Sequence, residues 1–164
     1  MIDPLAAPDL ERFIREQQIE AEIIFLEEKT PTVETAAEAV GVAPRQIVKS
    51  LLFMLKEGEG ALRPLLVVSN GPARVNYKRL ADHLDLSRRR VRIASPEQVL
   101  AHTGYRVGAV PPFGHPQPLP TVIDAGVLEQ EEIYGGGGAI NALVHLTVRE
   151  LQRVVEAEIV DVAD

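Results

Sequence analysis

Residues 104–116 read Gly-Tyr-Arg-Val-Gly-Ala-Val-Pro-Pro-Phe-Gly-His-Pro. Three glycines and three prolines in thirteen positions can neither continue a helix nor join a central strand. Proline lacks the amide donor, and glycine is at no disadvantage only where the backbone does something unusual. The stretch is therefore a loop of fixed shape, either a stiff connector or the wall of a pocket. The remaining residues must supply the elements that it joins.

At 164 residues the length fits one domain, residues 1–164, with no internal repeat or linker, and it suffices for an ordinary buried core. The absence of cysteine excludes disulfides, thiol nucleophiles and thiolate metal sites. His83, His102, His115 and His145 lie too far apart to form a local ligand pair, so neither metal nor cofactor is expected. No apolar run approaches the roughly 20 residues needed to span a bilayer. The opening Met-Ile-Asp-Pro-Leu lacks the basic flank of a secretory signal. A cytoplasmic protein is the expectation.

Along the chain, Ala7, Leu10, Phe13 and Ile14 make the apolar stripe of a first helix, followed by a strand at residues 22–26. Thr32 can cap a short helix with Val33, Ala36, Ala37 and Val40 inward and Gly41 at its end. Residues 47–55, Ile-Val-Lys-Ser-Leu-Leu-Phe-Met-Leu, read as a strand covered on both faces, and residues 65–68 as its hairpin partner. Tyr77, Leu80, Ala81 and Leu84 mark a third helix. Ser95-Pro-Glu-Gln is a strong helix start, with Gly104 able to stop that helix. Strands follow at residues 121–123 and 140–146. A capping box of Thr147 and Glu150 then opens a last helix before a strand at residues 158–162. Helices and strands mix without βαβ alternation, which predicts an α+β fold with a mixed sheet.

Three features stand out from this frame. Lys49 interrupts an apolar strand on the same side as Ile47, Leu51 and Phe53, so its ammonium either reaches water at the strand entrance or meets an anion. Gly135, Gly136, Gly137 and Gly138 form a run of bare amides that either approach a ligand or make a loose turn. This run matches neither nucleotide-loop signature. Arg74, Lys78, Arg79, Arg88, Arg89, Arg90 and Arg92 face only Asp82 and Asp85, although the whole chain carries a formal charge of -7. That cluster is either a solvated face or a phosphate-contacting surface.

Residues 46–53, Arg74-Val-Asn, Gly104-Tyr, residues 108–114 and Tyr134-Gly-Gly-Gly, in this order, resemble the YbaK/ProX family of aminoacyl-tRNA deacylases. That family is related to the editing insert of bacterial prolyl-tRNA synthetase. The resemblance implies a compact α+β domain with a curved, mixed, barrel-like sheet, hydrolysing mischarged tRNA in trans. It implies tRNA as partner, with prolyl-tRNA synthetase as a second, and a small amino acid such as Ala, Cys, Ser or Thr, carried on proline tRNA. Lys49 matches the lysine on which the family depends. Gly108 and Pro112 match its G-x-x-x-P loop, so that Gly108, Ala109, Val110, Pro111, Pro112 and Phe113 would surround the aminoacyl side chain. Leu143 stands where some members carry aspartate.

Ester hydrolysis needs an attacking water, stabilisation of the oxyanion and a size filter. The chain offers no evident Ser-His-acid grouping, and Ser50 points to the opposite strand face from Lys49. The expected catalytic set is therefore Lys49 with the amides of Gly135, Gly136 and Gly137, with Gly138 and His145 contacting substrate. Arg74, Lys78, Arg88, Arg89 and Arg90 are the expected tRNA contacts. A non-catalytic tRNA- or synthetase-binding module is the alternative, and a small-molecule enzyme or binder using the same pocket a further one.

Overall fold

The computed structural model describes residues 3–30 and 32–164; the first two residues of the opening segment read above lie outside it. The described residues contain five α-helices and eight strands. In chain order these are α1 (Ala7–Glu16), β1 (Ala21–Phe25), α2 (Val33–Val40), β2 (Val48–Glu57), β3 (Ala61–Asn70), α3 (Tyr77–Leu84), β4 (Val91–Ile93), α4 (Pro96–Thr103), β5 (Thr121–Asp124), β6 (Glu132–Gly136), β7 (Ala142–Thr147), α5 (Val148–Val154) and β8 (Glu158–Val160).

Local chemistry accounts for the helix ends. Thr32 Oγ1 accepts from the Thr35 amide while Thr35 Oγ1 accepts from the Thr32 amide, and Gly41 closes α2 at φ +72°. Ser95 and Gln98 exchange the same pair of bonds at the start of α4. The box expected at α5 is only half made. Thr147 Oγ1 accepts from the Glu150 amide, but the Glu150 carboxylate turns to the Glu20 amide and to Arg153.

The strands divide into an antiparallel sheet, β1-β7-β6, and a mixed sheet, β4-β2-β3-β5-β8, in which β3, β5 and β8 run parallel. The α+β class and mixed pairing agree with expectation. Among the described residues the two sheets do not close into a barrel; they meet at a single parallel bridge between Ile47 and Tyr134.

Strand β2 is apolar on both faces because both are covered. Val48, Leu52 and Met54 enter the main core with Leu10, Ile14, Leu66, Val68, Ile133 and Val144. Phe53 and Leu55 enter a second cluster with Val67, Leu80 and Ala81 under α3. Residues 104–116 are anchored into the main core by Tyr105, Val110 and Phe113. The Leu5 amide bonds Gly104 O at 2.7 Å, His115 Nε2 lies 2.9 Å from Pro111 O, and the Phe113 ring stacks 6.1 Å from Phe13. The loop is thus a stiff connector whose outer turn remains free to form a wall.

Candidate functional site

Strand β2 is paired along its whole length with β3, but its other edge is covered only in part. Strand β4 pairs with Phe53, Met54 and Leu55, and at the other end Tyr134 of β6 bridges Ile47, the residue before β2, with Gly135 packed against Val48. Between these two contacts the edge opens into a cleft of about 460 Å³. Because the cleft opens on an edge, Lys49 and Ser50 both border it although they project from opposite faces. Gly108 and Val110 form one wall, Gly135, Gly136 and Leu143 another, and Val33 and Ala36 of α2 a third.

The gap leaves main-chain groups unpaired. The Ala94 amide donates to Leu52 O at 2.9 Å, which fixes the side on which Leu52 and, two residues earlier, Ser50 present their peptide groups. Strand β4 ends before it reaches Ser50. Just after β6, the Gly137 amide donates to Ala142 O and the Gly138 amide to Ala109 O, both at 3.0 Å. These two amides are therefore committed, contrary to the expected role of Gly137 as an oxyanion donor and of Gly138 as a substrate contact. Antiparallel alternation then turns the Gly135 amide toward β7 and the Gly136 amide toward β2 and the gap.

The 106–109 turn is closed by the Ala109 amide bonding Arg106 O at 3.0 Å, with Gly108 in its third position at φ +91°. That φ belongs to a type II turn and favours glycine. A β-carbon on Gly108 would meet no protein atom within 4 Å, so within the protein its glycine answers to conformation and not to packing. Close approach occurs at Gly136, where a β-carbon would lie 2.1 Å from Val110 O. Ala109, Pro111, Pro112 and Phe113 are buried behind the wall, with Pro112 packed against Gly135.

Lys49 Nζ donates to Ala73 O at 3.1 Å. Burial pushes its pKa below the ordinary lysine value; the Glu34 carboxylate pulls it back up and Arg74 lowers it again. Ser50 Oγ has no hydrogen-bond partner among the described residues. No carboxylate, imidazole or aromatic ring lines the cleft, and the described residues contain no group of three His, Asp or Glu able to hold a metal.

His145 lies outside the cleft. Its ring stacks on Tyr134 at 4.4 Å, with Nδ1 3.2 Å from Glu22 and Nε2 3.3 Å from Glu132. The Nε2 contact is an ion-pair distance without hydrogen-bond geometry. The basic cluster is also partly committed. Lys78 pairs with Asp82 and Arg79 with Asp161, Arg88 lies 4.3 Å over the Tyr77 ring, and Arg90 donates to Lys56 O. Arg74 and Arg89 remain exposed. A larger hollow of about 590 Å³ at Gln18, Glu20, Arg149, Glu150 and Arg153 holds none of the expected site residues and is walled by an ion pair.

Residues 27–154, which include every cleft residue, match the aminoacyl-tRNA editing domain family. The chain belongs to that family. It is accordingly an aminoacyl-tRNA hydrolase, the class its motifs imply. Among relatives, YwhH of Bacillus subtilis, itself uncharacterised, is 32% identical over 80% of each chain. The multifunctional Ser/Thr-tRNA deacylase ProXp-y of Escherichia coli is 30% identical over 78% of this chain and 75% of its own. The proline–tRNA ligase of a Thermotoga strain is 37% identical over 60% of this chain, which spans only 16% of that enzyme. A crystal structure described as a candidate trans-editing enzyme for prolyl tRNA synthetase superposes with a TM-score of 0.86 at 30% identity, covering 96% of both chains. No helix among the described residues is long and apolar enough to cross a membrane.

Proposed function

We propose that this editing-family protein acts in the cytoplasm as a free-standing deacylase that removes a small amino acid, Ala, Cys, Ser or Thr, from proline tRNA, and that the β2 edge cleft is its active site. The observation that carries this reading is that Lys49, the Gly108 turn and Gly136 border one cleft. In it, the ester carbonyl enters the gap between β2 and β6. The Gly136 amide and the Lys49 ammonium face the oxygen on which charge develops, and the neighbouring ribose hydroxyl of the tRNA orients the water. Water attacks the carbonyl carbon, the bond to the ribose oxygen breaks, that oxygen takes a proton, and the amino acid leaves as its carboxylate. With no carboxylate or imidazole among the described residues that line the cleft, water oriented by a hydroxyl of the substrate fits better than water activated by a protein base.

The wall of Gly108 and Val110, with Ala36, Ile47 and Leu143 lining the other sides, acts as the size filter. A stiff wall that excludes bulk discriminates better than apolar contact, which yields only about 1–3 kcal/mol per methylene. Prolyl-tRNA synthetase is the partner that would hand over the mischarged product.

The test is Lys49→Gln assayed on alanyl, cysteinyl, seryl and threonyl esters of proline tRNA and of other tRNAs. One donor to a developing oxyanion is worth about 100-fold to 1000-fold in rate, and a loss of that size on a folded protein is expected. A folded variant acting at the parental rate overturns the mechanism. A parental protein that binds these tRNAs without hydrolysing any of them would be a binding module instead.

A further inference from the structure

Two exposed aliphatic side chains converge on the mouth of the cleft from independent elements. Ile93, 50% exposed, ends β4 and is held in register opposite Phe53. Val107, 57% exposed, is the second residue of the 106–109 turn. Both line the cleft. A large apolar side chain in water is ordinary when it stands alone, but two at one opening ask for an occupant.

Each is preceded in sequence by an exposed arginine, Arg92 and Arg106. Neither arginine makes an ion pair or side-chain hydrogen bond among the described residues, unlike Arg79, Arg88 and Arg90. Apolar surface at the mouth therefore has uncommitted positive charge one residue away in sequence, Arg92 on the opposite strand face from Ile93, and a nucleotide chain requires both kinds of contact.

We propose that Ile93 and Val107 are aliphatic jaws that hold the base of the terminal nucleoside from which the amino acid is released, with Arg92 and Arg106 on the phosphates of the strand that leads to it. This rests on the deacylase reading given above. An aminoacyl group inside the cleft leaves its ribose at the opening, so the attached base must lie across the rim. Every base offers an apolar face, and with no aromatic ring lining the cleft aliphatic side chains must supply the contact. A grip on the face does not read the hydrogen-bonding edge. It depends on a base being present and discriminates little between bases.

The experiment uses acceptor-stem minihelices, charged or uncharged, ending in an intact or an abasic 3′-terminal nucleotide. With the parental protein, removing the base should raise KM about tenfold and leave kcat unchanged, a loss of uniform binding. Ile93→Ser combined with Val107→Ser should raise KM about tenfold on the intact helix and erase the difference between intact and abasic forms. Leu62→Ser, also exposed but remote from the cleft, should change neither. Arg92→Gln and Arg106→Gln should each lower the slope of log affinity against log salt by about 1. An unchanged KM in the double serine variant, or a full abasic penalty persisting in it, overturns the proposal. Anisotropy of the uncharged helices separates the two readings. Base-dependent binding that requires Ile93 and Val107, without hydrolysis, keeps the jaws and rejects the deacylase; hydrolysis or binding indifferent to both rejects the jaws.

Discussion

Val110 places its carbonyl oxygen 2.1 Å from where a β-carbon on Gly136 would stand. The pocket-wall loop and the strand carrying the proposed oxyanion donor are therefore in backbone contact beside the cleft.

Gly136→Ala and Gly108→Ala should consequently fail in different ways. At Gly136 the added methyl meets main chain and cannot be accommodated by a rotamer. A cost toward the upper part of the overpacking range, about 3 kcal/mol, is expected, with activity lost as the loop is displaced. At Gly108 there is room, and only the φ of +91° resists alanine, at about 1–2 kcal/mol. Urea denaturation would measure both. Equal costs would show that the two glycines are not distinguished by contact and conformation.

Lys49 gives the proposed site a pH signature. Its ammonium is the active form, so kcat/KM, corrected for spontaneous hydrolysis, should fall as pH rises through the Lys49 pKa. Burial holds that pKa below the usual value of about 10.4. Glu34 raises the pKa and Arg74 lowers it, so Glu34→Gln should move the alkaline limb to lower pH and Arg74→Gln to higher pH. Opposed shifts identify the lysine as the titrating group. A limb that ignores both substitutions assigns the titration elsewhere.

Acid stability should depend on Glu150. Hydrogen bonds from Arg153 and from the Glu20 amide hold its carboxyl at about 2, against about 4.3 in the unfolded chain. A depressed folded-state pKa contributes stability that is complete above about pH 4.3 and is lost as pH falls toward 2. Thermal melts should show the parental Tm above that of Glu150→Gln at pH 7, the gap narrowing across this window. A constant gap from pH 7 to pH 2 would mean that the ionised form carries no advantage.

What was legible in the sequence is what short-range chemistry decides. Thr32, Ser95, Gly41 and Gly104 mark helix ends through bonds that close within a turn, and the apolar stripe of Ala7, Leu10 and Ile14 needs no distant partner. The motifs that placed Lys49 beside the Gly108 loop and the glycine run also survive, since all three border one cleft. The missed features depend on pairing across the chain. Glycines 135 and 136 read as a loop but lie in β6, because β7 on one side and the Val110 carbonyl on the other hold them extended. Val91–Ile93 is too short to show a period, yet it seals one end of the cleft. The arginines at 88 and 90 looked free because nothing local reveals Tyr77 beneath one or the Lys56 carbonyl beside the other. His145 shares a strand face with Leu143, but Glu22, Glu132 and Tyr134 enclose it at the far end of the sheet.

The uncovered stretch of β2 also bears on solubility. A bare strand edge invites a second strand, and residues 47–55 contain one charge in nine positions. That charge is Lys49, so the residue proposed for chemistry also acts as the gatekeeper against edge-to-edge association. Replacing it with methionine or leucine would leave an uncharged ribbon, polar only at Ser50, beside an open seam, and the protein should self-associate on concentration, whereas arginine should keep it monodisperse.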